Sequence, residues 1–130
     1  MTKTNLGVLL LHGWTGTRTM MRPLEEPLHA LGLPTRLPAL RGCEDGTPSA
    51  LLGVTWQDWL EDGRLALADL LTEVDKAVIV GHSMGGMIAL SLAASQPQDV
   101  DSVVTAGTPG KMLTPFAPGN MLHPLFRLLW

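Results

Sequence analysis

Residues 76–96 read KAVIVGHSMGGMIALSLAASQ, and the reading of this stretch decides the fold. Its first part, Lys76 to Gly81, is a short apolar run without alternation. Strands covered on both faces look like this, and parallel sheets are their usual setting. Its last part, Met84 to Gln96, has a helix-like pattern and is followed by Pro97. Between them Gly81, Ser83 and Gly85 form a G-x-S-x-G sequence. With a strand before it and a helix after it, that motif places a serine on a sharp, strained turn, its Oγ exposed at the carboxyl end of a sheet. The flanking residues must be small so that strand and helix can approach, and Gly86 and Ala89 continue the small residues into the helix. The helix N-terminus would stabilise negative charge developing beside the serine.

Working outward, LGVLLL (Leu6 to Leu11) and VDSVVTA (Val100 to Ala106) repeat the buried-strand pattern. LPTRLP (Leu33 to Pro38) is a short edge strand by its prolines, which cannot donate to a ladder. Helical patterns fill the gaps. TMMRPLEEPLHAL carries Met20, Leu24, Leu28 and Leu31 on one face, with Pro23 and Pro27 disturbing its first turns. TWQDWLEDGRLALADLLTEV lines up Trp56, Trp59, Leu60, Gly63, Leu67, Leu70, Leu71 and Val74, with Thr55 or Asp58 at its cap. Both tryptophans are expected in the core. The alternation predicts an α/β fold: a three-layer, doubly wound, mainly parallel sheet. The expected spatial order is second, first, third, fourth strand, with helices on both faces.

A second motif ends the first strand: LLLHGWTGT, with His12, Gly13, Trp14, Thr15 and Gly16. Acyl transfer needs two backbone N–H groups aimed at the developing oxyanion. One comes from the residue after the nucleophile, here Met84, and Trp14 is placed to supply the other. The first and third strands would be neighbours at the switch point, so the two loops would meet across one crevice.

A chain of 130 residues is about one domain, and 45% hydrophobic with 16% charged residues is a globular composition. A formal charge of -3 with scattered Lys and Arg offers nucleic acid no footprint. Cys43 stands alone, which excludes an internal disulfide and a thiolate metal cluster. Neither a metal nor an organic cofactor is expected. No run approaches the roughly 20 apolar residues of a membrane span. The run Gly7 to Leu11 is too short for a signal peptide and leads into HGWTG, so a cytoplasmic protein is expected. After Gly110 the composition shifts: residues 111–130 hold three prolines and no acidic residue and do not continue the alternation. The chain therefore divides into a core half, 1–110, and the start of a cap-like or lid-like segment, 111–130.

Other phosphate and nucleotide readings fail. In GHSMGG, Ser83 stands where a dinucleotide fingerprint needs its second glycine, and GTPGKM lacks both the glycine spacing of a phosphate loop and the Ser or Thr after Lys111.

The sequences LLLHGWTGT, VGHSMGG and VVTAGTP, with LPALRG and TWQDWLED between them, resemble the N-terminal part of an α/β-hydrolase. They are most similar to small bacterial carboxylesterases and monoacylglycerol lipases, over roughly Leu6 to Gly110. The resemblance implies that Ser83 is the nucleophile and that the amides of Trp14 and Met84 form the oxyanion hole. Gly81, His82, Gly85 and Gly86 would build the nucleophile elbow, and His12, Gly13 and Gly16 the oxyanion loop. It implies hydrolysis of small carboxylic esters, with short- to medium-chain acyl groups or monoacylglycerols, through an acyl-enzyme. The family's acid and base follow the nucleophile on later strands; the chain is apparently truncated after the strand at 101–106. His123 is the only histidine far enough downstream to serve as base, although it sits where the family places its cap. His29 is expected to be solvated. Asp99 and Asp101 lie at the amino end of a strand, and Asp45 precedes the nucleophile in a turn. Where the family often has RGHG, this chain has Arg41-Gly42-Cys43; Cys43 has no helix N-terminus to activate it as a nucleophile. Two alternatives remain open at this stage: a competent serine esterase, or a truncated, catalytically incompetent binding module. The outer edge of the last strand would lack a partner, so self-association is also expected.

Overall fold

The computed structural model describes residues 4–44 and 46–110. Its order is β1 (Thr4–Leu11), α1 (Glu25–Ala30), β2 (Thr35–Arg36), α2 (Trp56–Leu70), β3 (Val74–His82), α3 (Met84–Ser95) and β4 (Val100–Ala106). Three short 3-10 turns lie in the connections, at Arg18–Met20, Arg22–Leu24 and Pro48–Leu51. The four strands form one sheet in the order β2-β1-β3-β4, and every pairing is parallel. The predicted fold class and strand order are both found.

Val8, Leu9, Leu10 and Leu11 are all buried, because β1 has a strand on each side and helices above and below. Its two faces feed two cores. Leu9 and Leu11 join Ala77, Ile79, Leu67, Leu70, Ile88, Ala89 and Leu92 beneath α2 and α3. Val8 and Leu10 meet Met21, with Leu28, Leu33, Val78 and Val80 packed around them on the α1 side. Each buried leucine contributes roughly 1.5–3 kcal/mol relative to exposure, so the dry α2–α3 side carries most of the hydrophobic stabilisation.

β2 is an edge strand of two residues, as its prolines dictate; the Pro34 carbonyl accepts from Val8 N–H at 2.8 Å. Arg36 then ties that edge to Asp69 of α2 and to Glu73 in the turn that follows it. α2 starts on Thr55, whose N–H and hydroxyl both donate to Asp58 Oδ2 at 2.8 Å, so the two cap candidates act as one device.

Several expectations are corrected. The segment 19–31 is not one helix, since Pro23 and Pro27 lack the N–H donors it would need; it splits into two 3-10 turns and the six-residue α1. Met20, Leu24 and Leu31 are exposed, and Met21 with Leu28 does the packing. α2 stops at Leu70, and Val74 opens β3 instead, paired with Thr4. Trp56 is 61% exposed and Trp59 half-buried, so neither belongs to the sealed core. β4 is not covered on both faces: Val100 is buried and Val103 partly, but Val104 is 51% exposed. Among the described residues β4 has one neighbouring strand, β3, which leaves its outer edge and much of one face open.

Candidate active site

Ser83 lies between the end of β3 and the start of α3 with φ 52° and ψ -117°. A residue with a Cβ is costly there, by about 1–3 kcal/mol, and such strain persists only where surroundings over-determine it. They do so here. The Ser83 N–H donates to the carbonyl of Ala106, the last residue of β4, at 2.8 Å. Its own carbonyl accepts from Gly86 N–H at 3.0 Å and from the Thr108 hydroxyl at 3.1 Å.

The glycines around the serine are placed by close approach. A Cβ on Gly85 would run into the carbonyl oxygen of Leu11 and come within 2.6 Å of that of His12. α3 can therefore begin directly over the end of β1. A Cβ on Gly86 would occupy the space of the Thr108 side chain. Gly81 is buried in the ladder between Leu11 and Thr105.

The loop after β1 meets this turn as the sequence predicts. A Cβ built on Gly13 would stand 3.1 Å from the Ser83 Cβ and 3.0 Å from His82 Nδ1. Gly16 N–H closes the loop on the Gly13 carbonyl at 3.0 Å, and Thr15 takes φ 57°. Trp14 is 62% exposed, so its side chain is not a packing element of the described fold. His12 is fully buried, its Nδ1 at 2.9 Å from the Gly13 carbonyl, to which it donates. Among the described residues, His12 Nε2 and His82 Nδ1 are buried without a hydrogen-bond partner. His12 follows the last residue of β1, and His82 is the last residue of β3, paired with Ala106.

Residues 40–44 meet this loop at Cys43 and Thr15, a contact that sequence reading missed. Arg41 is clamped to α2: its N–H and Nε donate to Asp62, and its Nη1 to Asp58, each at 2.8 Å. The Trp59 indole N–H donates to the Arg41 carbonyl at 2.8 Å. Beyond that clamp, Glu44 takes Arg18 in a two-pronged pair at 3.0 and 3.1 Å. Cys43 is buried beside Thr15; burial pushes its thiol above the ordinary value, opposed by the Thr15 backbone N–H and assisted by the charges of Asp62 and Glu44. A protonated, buried thiol is not a nucleophile. Thr108 was missed too, although a hydroxyl residue two positions past a strand at its carboxyl end was visible in AGTP.

An apolar cavity of about 150 Å³ opens between α2 and α3, lined by Trp56, Trp59, Leu60, Met84, Met87 and Ile88 among others. Its wall includes the residue after Ser83.

The remaining candidates lie elsewhere. His29 is exposed and bonds Thr35 Oγ1 at 2.8 Å, which in turn donates to Glu25 at 3.3 Å, on the α1 side of the sheet. Asp99 sits at the amino end of β4, and Asp101 is exposed in its first turn of ladder. Asp45, His123 and the whole segment 111–130 lie outside the described residues. Among the described residues no group of three His, Cys, Asp or Glu side chains could hold a metal ion, and no helix is long and apolar enough to cross a membrane.

A parallel sheet with a strained serine at its switch point and a glycine loop across from it defines an α/β hydrolase framework. The profile of the alpha/beta hydrolase family matches residues 8–130, and the chain belongs to that family. It is 36% identical over 100 residues to the thermostable monoacylglycerol lipase of Bacillus sp. (strain H-257), covering 76% of this chain and 39% of that protein. It is 38% identical over 118 residues to the pimeloyl-[acyl-carrier protein] methyl ester esterase of Aromatoleum aromaticum, covering 90% of this chain and 42% of that one. A solved structure from the pair LipS and LipT, two metagenome-derived lipolytic enzymes, superimposes with a TM-score of 0.80 at 28% identity, over 91% of this chain and 50% of that one. The chain thus resembles small esterases and lipases, and it spans about 40% of the length of these two curated relatives.

Proposed function

We propose that Ser83 is the nucleophile of an ester hydrolase. The observation that supports this most directly is the backbone at Ser83, held at φ 52° on the turn between β3 and α3. In this reading Ser83 Oγ attacks the ester carbonyl carbon and passes its proton to a base. The carbonyl oxygen takes up the negative charge, facing the N–H groups of Met84 and Trp14. When the carbon–oxygen bond to the alcohol breaks, the alcohol leaves with the proton and an acyl group remains on Ser83. Water then attacks that acyl group, and the carboxylic acid departs as the serine recovers its proton. Neither a metal nor an organic cofactor takes part.

The base and the acid that orients it are not among the described residues; in the family's order both follow the nucleophile. The relatives, a monoacylglycerol lipase and a methyl ester esterase, act on carboxylic esters by their names, and the apolar cavity that reaches Met84 favours an uncharged aliphatic group on the ester. Residues 111–130 are assigned to a cap-like segment on the same family argument.

A second reading stands beside this one. On it the chain is a hydrolase-like binder that performs no turnover. A fluorophosphonate probe separates the two. Labelling of the wild-type chain that disappears in Ser83→Ala supports an activated serine; no labelling of either supports the binder.

A further inference from the structure

The peptide joining Ser83 to Met84 is planar and trans, so the Ser83 carbonyl and the Met84 N–H point in opposite directions in one plane. Whatever fixes that carbonyl also aims that N–H. Two donors reach the carbonyl, and they come from different parts of the fold. Gly86 N–H, at 3.0 Å, belongs to the first turn of α3 and moves with the helix. The Thr108 hydroxyl, at 3.1 Å, arrives from the segment after β4 and ties the same plane to the sheet. That segment grips the serine twice, since the Ala106 carbonyl also accepts the Ser83 N–H at 2.8 Å.

The room for this contact is made by Gly86. A side chain there would coincide with the Thr108 hydroxyl and lie within 3.0 Å of its Cβ and Cγ2. Gly86 and the threonine 22 positions later therefore work as a pair.

From this we infer that Thr108 is a positioning residue for the Met84 amide, and through it for one half of the oxyanion hole. The inference rests on the role proposed above for Met84. The Thr108 hydroxyl bonds the Ser83 carbonyl, and through it sets the direction of a donor that is used when charge develops.

The test compares Thr108→Val, which keeps the shape and deletes the hydroxyl, with Thr108→Ser, which keeps the hydroxyl. The first readout is the order parameter of the Met84 N–H in the ¹⁵N-labelled 130-residue chain. It is expected to fall from the rigid range near 0.85 toward 0.6 in Thr108→Val and to stay high in Thr108→Ser. The amides of Ile79 and Leu92 report that the fold is intact. The second readout is Ser83-dependent hydrolysis of p-nitrophenyl acetate. Losing one of two hydrogen bonds to the carbonyl should lower kcat by about 2–10-fold, with KM unchanged because the donor acts in the transition state. Thr108→Ser should recover the rate. An unchanged Met84 order parameter in Thr108→Val overturns the inference, and so does an equal fall in both variants. Should the wild-type chain show no Ser83-dependent hydrolysis, the reading of this chain as a competent esterase fails, and the order parameter still decides the positioning role by itself.

Discussion

Replacing Ser83 by glycine and by alanine separates the strain at this position from its chemistry. Both variants delete the hydroxyl, but alanine keeps a Cβ at φ 52°, whereas glycine removes it. Relief of a Cβ held in the left-handed region gains about 1–2 kcal/mol. Glycine's extra freedom in the unfolded chain takes back about 0.4–1 kcal/mol. The net expectation is that Ser83→Gly is more stable than Ser83→Ala by about 1 kcal/mol. For a described core of this size that corresponds to about 4–8 °C in Tm. Urea and thermal unfolding, followed by circular dichroism on the two variants side by side, read the difference directly. Equal stabilities would show that the surrounding contacts from Ala106, Gly86 and Thr108 impose no cost at this residue, and the strained-turn argument for its function would go with it.

Trp14→Ala should keep most of any Ser83-dependent esterase rate, since a backbone N–H is the proposed donor and the indole is exposed; Trp14→Pro, which deletes that N–H, should lose about 10²-fold or more in kcat. Gly85→Ala should destabilise the fold by more than about 2 kcal/mol in denaturant, because its Cβ meets two backbone carbonyls that cannot swing aside. The Asp58 carboxyl is held below its ordinary value of 3.8, first by the Thr55 backbone N–H and then by its hydroxyl and Arg41. A depressed folded-state value stabilises above the unfolded value and is lost as pH falls through the folded one. The stability advantage of wild type over Asp58→Asn should thus be full at pH 7 and shrink below about pH 3.8. The open outer edge of β4 should drive self-association of the 130-residue chain at high micromolar concentration; a single monomeric species in sedimentation velocity would refute that.

The sheet was legible because Leu6 to Leu11 and Lys76 to Gly81 lack alternation, and only strands flanked on both sides make that choice of residues necessary. The turn at Ser83 was legible because its glycines are demanded by backbone contacts, which leave a mark on the sequence. The region from Thr19 to Leu31 was misread because a four-residue spacing survives in Met20, Leu24 and Leu28 even where prolines prevent the helix. Trp56 was misread for a related reason: its spacing is helical, but at the first residue of α2 it stays 61% exposed, while Trp59 three positions on packs half-buried against the core. The contacts of Thr108 and Arg41 could not be read from the sequence. Each acts on a partner more than 15 positions away, Thr108 on Ser83 and Arg41 on Asp58 and Asp62, and such pairings have no periodicity to read.

The clamp at Arg41 and the Arg18–Glu44 pair give the molecule two kinds of cohesion with different responses to solvent. The cores around Leu9 and Leu10 are hydrocarbon and indifferent to dilute ions. The segment around Arg41 and Glu44 is held by partly exposed charges, and these are screened within about 3 Å at 1 M ionic strength, against about 10 Å at 0.1 M. Sodium chloride therefore acts on this protein selectively. It acts on the Arg41 clamp, on the Arg18–Glu44 pair and on the Arg36 ties at the β2 edge alike, while the buried strands β1 and β3 between them are left to their hydrocarbon packing.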